Sequence, residues 1–199
     1  MATRTQSIDS GHRPYRFSVE QLERMIEAGA IPEGVDVELI RGRLHRRTKK
    51  EPHNFAVGRA AELLRRLLPG GFHVREEKSL RHDRRTLPEP DVAVARGGAA
   101  EYRPQPPLTS EVPMIVEVCH HSRNADYRGK TRLYAEAGVP LYWIVDLHER
   151  KLTARSEPRR TSPPSYARLA TFSEDESAPV VLDGREIGRI AVRDLLPPP

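Results

Sequence analysis

Cysteine, tryptophan and long apolar runs are what this chain has least of. One cysteine, Cys119, among 199 residues excludes an internal disulfide and a cysteine-rich zinc site, and it points to a reducing compartment. No window approaches the roughly 18 apolar residues that a membrane helix needs. The opening residues, MATRTQSIDSGHRPYR, have no apolar stretch of the kind a secretory signal carries. A soluble, cytoplasmic protein with no membrane partner is expected. The apolar share is low at 37%, the charged share is 31% and there are 18 prolines. That balance describes one modest core with long connections, and this length forces no second domain.

The formal charge of +5 comes from 33 Lys and Arg against 28 Asp and Glu, and arginine supplies nearly all of the basic side. A planar guanidinium bonds two phosphate oxygens at once, so nucleic acid is a permissible partner. The cluster Arg41, Arg43, Arg46, Arg47, Lys49, Lys50 is either a solvated face or a phosphate-binding patch.

The most informative stretch is PMIVEVCHHSRNADYRGKTRLYAEAGVPLYWIVD, Pro113 to Asp146, which reads as strand, helix, strand. Met114 to Val118 has the composition of a strand covered on both faces, yet it contains Glu117. An ionised carboxylate in apolar surroundings costs several kcal/mol unless it is paired, bound to a cation or protonated. Upstream, in LPEPDVAVA, Asp91 opens a second such run. Two acids on two apolar strands suggest a shared cation; the bland alternative is that each pairs with an arginine.

In chain order, residues 1 to 14 read as a disordered polar tail and 15 to 199 as one domain. Ser18 and Gln21 form a capping box ahead of Val19, Leu22, Met25 and Ile26 on one helical face, with Gly29 closing the helix. VDVELI alternates, and Arg41-Gly42 turns it into a second strand, Arg43 to Arg47. A helix from Pro52 to Leu68 carries the apolar stripe Phe55, Ala56, Ala60, Leu63, Leu64, Leu67, Leu68 and stops at Pro69-Gly70-Gly71. His53, at its start, reads first as a capping or surface residue. Phe72 to Arg81 and Pro90 to Ala95 form a hairpin through the charged turn HDRRT, and Arg96 to Pro113 is a long loop. The helix Asn124 to Ala137 sets Asp126, Lys130 and Tyr134 on one face and ends at Gly138; Leu141 to Val145 then completes a β-α-β unit. After Asp146, Lys151 to Ser156, Tyr166 to Phe172 and Val180 to Leu182 read as short peripheral strands. RTSPPS reads as a linker, and Val192 to Leu196 as a helical turn.

The ordered set Glu38-Leu39-Ile40 with Gly42, His53, Pro90-Asp91-Val92, Glu117-Val118, Asp126 with Lys130, and Tyr134 through Gly138-Val139 to Tyr142-Trp143-Ile144-Val145-Asp146 resembles the Uma-type restriction endonuclease family. That family is similar to the PD-(D/E)XK nuclease superfamily. The resemblance implies an α/β, restriction-endonuclease-like fold, a central mixed β-sheet flanked by helices, and it covers about residues 15 to 155. It also adds Glu38 as a third carboxylate near the ion. In the superfamily pattern a lysine lies two residues after the Glu, where this chain has Cys119; in the Uma-type pattern it stands on the following helix, which makes Lys130 the equivalent. The bland alternative for Lys130 is a surface pair with Asp126.

Phosphodiester hydrolysis needs a hydroxide-like nucleophile and relief of charge in the transition state, and a hard divalent ion on carboxylates supplies both. Asp91 and Glu117, with the carbonyl of Val118, are the ligand candidates for Mg²⁺ or Mn²⁺. Lys130 would orient the attacking water or stabilise negative charge. Tyr134, Tyr142 and Trp143 read as core. Cys119 beside His120 and His121 lacks the side-chain geometry of a nucleophile and its base, and a metal site on the two histidines is a minor alternative. The expected activity is DNA cleavage with Glu38, Asp91, Glu117 and Lys130 as the catalytic set and Arg43, Arg46 and Arg47 on the nucleic acid. A non-catalytic binding module on the same fold and a hydrolase of small phosphate esters are the alternatives. Cutting both strands of a duplex would favour a symmetric homodimer.

Overall fold

The structure, a computed structural model, describes residues 14–47, 50–119 and 125–198, with the backbone alone at 125 and 126. The expectations for the amino-terminal tail, for Lys49, for His120 and His121, and for the Asp126 side chain and its pairing with Lys130 lie outside the described residues. In chain order the elements are α1 (Val19–Glu27), β1 (Val37–Ile40), β2 (Arg43–Arg46), α2 (Glu51–Leu67), β3 (Phe72–Glu76), β4 (Val92–Arg96), β5 (Met114–Cys119), α3 (Ala125–Ala137), β6 (Leu141–Asp146), β7 (Lys151–Arg159), β8 (Ser165–Ser173), β9 (Ser177–Leu182) and β10 (Arg185–Ala191).

Strands β3 to β8 form one six-stranded sheet in chain order. Every pairing is antiparallel except β5 with β6, which run parallel from Met114 opposite Leu141 to Cys119 opposite Asp146. This is the expected β-α-β unit, closed by α3. β5 and β6 are buried along their whole length because a helix covers each face of the sheet. Val116, Val118, Trp143 and Val145 pack with Ala56, Ala60, Ala61 and Leu64 of α2. Ile115, Cys119, Tyr142 and Ile144 pack with Leu133, Tyr134 and Ala137 of α3. Successive strand residues face opposite sides, so Glu117 shares the α3 face with Ile115 and Cys119. A fully buried Leu64 or Leu133 contributes about 2 kcal/mol of apolar burial, which fixes both helices on the sheet.

The amino-terminal part is built on short-range chemistry. Ser18 Oγ accepts from Gln21 N–H (3.2 Å) and Ser18 N–H donates to Gln21 Oε1 (2.9 Å), the capping box expected for α1. The helix packs on the β1–β2 hairpin through Val19 and Leu22 against Leu39. Its last turn lies beyond that contact, so Ile26 is 54% exposed and does not join the stripe. Phe55, in the first turn of α2, is also exposed. Arg41 and Gly42 both have positive φ, 50° and 78°, the left-handed pair of a tight hairpin turn. A Cβ on Gly42 would stand 2.9 Å from Cβ of Arg16.

Four parts depart from expectation. β3 and β4 do pair, but the connection between them is longer than a hairpin turn. His82–Thr86 is only its tip, and a bridge from Leu39 to Leu87 ties it to β1. Asp91 precedes β4, held by Glu77 N–H to Asp91 O at 3.0 Å. Two 3-10 turns, Ala99–Tyr102 and Thr109–Glu111, organise the long loop. β7 and β8 are nine-residue strands of the central sheet, with Arg160–Pro164 as their connection. They read as short because β8 is mostly exposed and lacks an apolar alternation. β10 escapes a reading by periodicity because REIGRIA holds few apolar residues around Gly188. No helix among the described residues is long and apolar enough to cross a membrane.

Candidate active site

The four acidic and basic residues expected to act together come from four elements. Glu38 is on β1, Asp91 leads into β4, Glu117 is on β5 and Lys130 is on α3. Lys130 Nζ donates to Glu117 Oε1 at 3.0 Å and lies 3.2 Å from Glu38 Oε2. Tyr134, one helical turn after Lys130, donates its hydroxyl to the same Glu117 oxygen at 2.7 Å. Four-residue spacing on α3 therefore aims both donors at one carboxylate. The same Glu38 oxygen also accepts from the Glu89 N–H at 3.2 Å. Asp91 Oδ2 accepts from Val118 N–H at 2.7 Å, which binds the start of β4 to the end of β5.

Two further side chains close on Asp91. His53 Nε2 stands 3.1 Å from Asp91 Oδ2, and the guanidinium of Arg47 bonds Asp91 and Glu89. His53 is thus an inward-facing site residue instead of a surface cap. Its position at the start of a strongly amphipathic helix was the available signal, but a lone histidine on a sequence does not reveal which carboxylate folds against it. The three arginines expected on nucleic acid separate: Arg43 and Arg46 are exposed on the hairpin, whereas the Arg47 side chain is only 9% exposed and engaged by acids. Tyr134 and Tyr142 are core residues as expected, and Tyr134 is also a site donor. Tyr127 donates its hydroxyl to the Val118 carbonyl at 3.0 Å, the backbone oxygen considered as an ion ligand.

Electrostatics follow from burial and crowding. Burial pushes the Glu117 carboxyl up to about 7; Lys130 opposes this, and the neighbouring charges of Asp91 and Glu38 add to it. Burial would raise Asp91 as well, yet the hydrogen bond and charge of His53, with Lys130 and Arg47, hold it below the usual carboxylate range. Burial would lower Lys130, Arg47 and His53, and the surrounding carboxylates outweigh it and raise all three. The lysine is therefore an ammonium in contact with its acids.

A divalent ion fits this donor set. Arg47 faces Asp91, Glu117, Glu89 and Glu38, and Lys130 faces Glu117, Glu38 and Asp91, so carboxylates outnumber the two permanent cations at the centre. Oxygen donors in a carboxylate-rich centre are what Mg²⁺ and Mn²⁺ take. Cys119 is buried on the α3 face.

A family model, Uma2, described as "Putative restriction endonuclease", matches residues 19–191. No curated protein matches the sequence. Among solved structures the fold is similar to that of "a putative nuclease belonging to DUF820 from Anabaena variabilis". The TM-score is 0.64 at 12% identity, and the likeness covers 90% of this chain and 97% of that one. At that identity the likeness is one of fold. The family match runs from the start of α1 to the end of β10 and takes in every residue of the acidic centre, and the chain belongs to the Uma2 family.

Proposed function

We propose that the protein is a divalent-metal-dependent endonuclease that hydrolyses DNA phosphodiester bonds. The observation that carries this is Lys130: its ammonium meets two buried carboxylates, Glu117 and Glu38, from a helix packed beside the strand. A purely structural lysine would be a costly occupant of such a site. Asp91 and Glu117 would hold Mg²⁺ or Mn²⁺, with Glu38 as the third acid. When bound, the ion supplies an activated water and relief of charge on the phosphoryl oxygens.

The chain's own residues do the rest. Lys130 orients the attacking water and stabilises negative charge on the reacting phosphate. Tyr134 holds the Glu117 carboxylate in place, and Val118 N–H with His53 fixes Asp91. Exposed Arg43 and Arg46 on the hairpin contact backbone phosphate beside the centre. Cutting both strands of a duplex calls for two such centres, so the working form is a symmetric homodimer. The composition suits a reducing cytoplasm.

One observation favours a second reading. Arg47 already neutralises Asp91 and Glu89, which is what a non-catalytic nucleic-acid- or protein-binding module on this fold would retain. Plasmid nicking separates the two. Cleavage that requires Mg²⁺ or Mn²⁺ and vanishes in Asp91→Ala supports the enzyme; binding of DNA without ion-dependent nicking supports the module.

A further inference from the structure

The six-stranded sheet ends on β3 at one side and on β8 at the other, and the two edges are unlike. β3 has five residues and carries His73, Arg75 and Glu76. β8 has nine, with no proline or lysine and one charge, Arg168. Short length and charge keep a sheet edge from pairing with another chain. They guard β3 and leave β8 open. We infer that β8 is the surface on which two copies of this chain associate, edge to edge and antiparallel about a two-fold axis at Leu169. The inference names the surface of the homodimer read above, and it rests on that reading for its use in cutting a duplex.

The strand is its own complement. Along Ser165–Ser173, Tyr166 and Phe172 are half-buried and every other residue is exposed, a pattern symmetrical about the midpoint of the strand. That midpoint is Leu169, 57% exposed. Laid antiparallel on itself there, the strand sets serine opposite serine at its ends, Tyr166 opposite Phe172 and Arg168 opposite Ala170, while Leu169 meets its own copy. The charge of Arg168 already pairs with Glu157 of its own chain, Nε to Oε1 at 2.7 Å. Tyr166 donates to the Val139 carbonyl at 3.0 Å and Phe172 packs on the α2 side of the core. Both ends of the strand are thus pinned, so pairing orders little that is not already ordered.

Backbone and charge fix the register. A strand residue turns its N–H and C=O both toward one neighbour or both toward the other, so two edges exchange bonds only through residues of one class and the mirror point falls on a residue. Centring on Arg168 would set guanidinium against guanidinium, which is destabilising. Centring on Ala170 would leave Ser165 and Tyr166 beyond the end of the partner strand. Centring on Leu169 pairs the whole strand, exchanges about eight to ten hydrogen bonds and covers the exposed leucine. Because both copies use the same edge, only the guarded β3 edges remain outside, and the assembly closes at two.

The test is sedimentation velocity of the full chain across a concentration series, for wild type and Leu169→Lys, with urea midpoints to show that the exposed substitution leaves the fold intact. Wild type should sediment as a dimer. Leu169→Lys opposes two ammonium groups at the axis and should raise the dissociation constant at least about tenfold. Crosslinking reads the register. Leu169→Cys sets the two Cα atoms about 5 Å apart, within the span of a disulfide, whereas Arg168→Cys or Ala170→Cys leaves about 8 Å. Under mild oxidant only Leu169→Cys should form a covalent dimer, with wild type as the control for buried Cys119. A wild-type monomer at every concentration overturns the inference. A dimer equally tight in Leu169→Lys, or no preference for crosslinking at Leu169→Cys, places the interface elsewhere, which ends this proposal and leaves the nuclease reading standing. A dimer crosslinked at Leu169→Cys that nicks no plasmid with Mg²⁺ or Mn²⁺ upholds the surface and removes the nuclease reading.

Discussion

Lys130 Nζ lies 3.0 Å from Glu117 Oε1 although the two residues sit on different elements, α3 and β5. The ammonium thus arrives from the helix at a carboxylate whose own strand has Cys119 two residues on, on the same face. Lys130→Met should lower cleavage by at least about a hundredfold, the scale of losing one charge-stabilising group, while Mn²⁺ binding persists. Adding Cys119→Lys to that background returns a cation from the strand, and partial recovery of nicking in a plasmid assay would show that the two positions reach one point. Full activity in Lys130→Met alone sinks the assignment.

Burial of Glu117 gives the metal-free protein a pH signature. Its folded carboxyl is pushed up to about 7 from 4.5, so its contribution to stability is complete below about pH 4.5 and is lost as pH rises through about 7. The loss is on the order of 3 kcal/mol. Urea midpoints measured in chelator from pH 5 to 8 should fall in wild type, and the fall should flatten in Glu117→Gln. Parallel curves for the two proteins would assign the slope to another group.

The arginines of the hairpin should divide by phenotype. Arg43→Ala with Arg46→Ala should leave stability within about 0.5 kcal/mol and reduce the slope of log affinity against log salt by roughly 0.9 for each phosphate that is no longer neutralised. Arg47→Ala should instead cost about 3 kcal/mol, because Asp91 and Glu89 lose the cation that offsets their burial. Denaturation and DNA binding across a salt series read both effects. An unchanged salt slope in the double variant returns Arg43 and Arg46 to a solvated face.

Gly42 controls where Glu38 stands. Its φ of 78° and the 2.9 Å approach of a built Cβ to Arg16 make Gly42→Ala strained in backbone and in space. A loss of about 1–3 kcal/mol is expected from the unfolding curve, with cleavage reduced because β1 carries Glu38. A wild-type midpoint would mean that the hairpin relaxes without strain.

The order of the residues alone determined the local elements near the centre. Ser18 with Gln21 caps a helix through atoms three residues apart. Arg41-Gly42 makes a hairpin by its own dihedrals, and MIVEVC with LYWIVD reads as two covered strands because period and composition need no partner to be visible. A carboxylate at Glu117 also announced that something must compensate it, since its cost arises from burial on its own strand. What compensates it was decided by packing. The α3 face meets β5 so that Lys130 and Tyr134 arrive at one oxygen, and the bridge from Leu39 to Leu87 brings Glu38 to the same ammonium. Arg47 looked the same as Arg43 and Arg46 in a basic run, and His53 looked like a cap. Only the long connection ahead of β4, which carries Glu89 and Asp91 back against the β1–β2 hairpin and the start of α2, turns both inward. Such pairings join residues about forty positions apart, and no local propensity or period encodes which acid a given cation will meet.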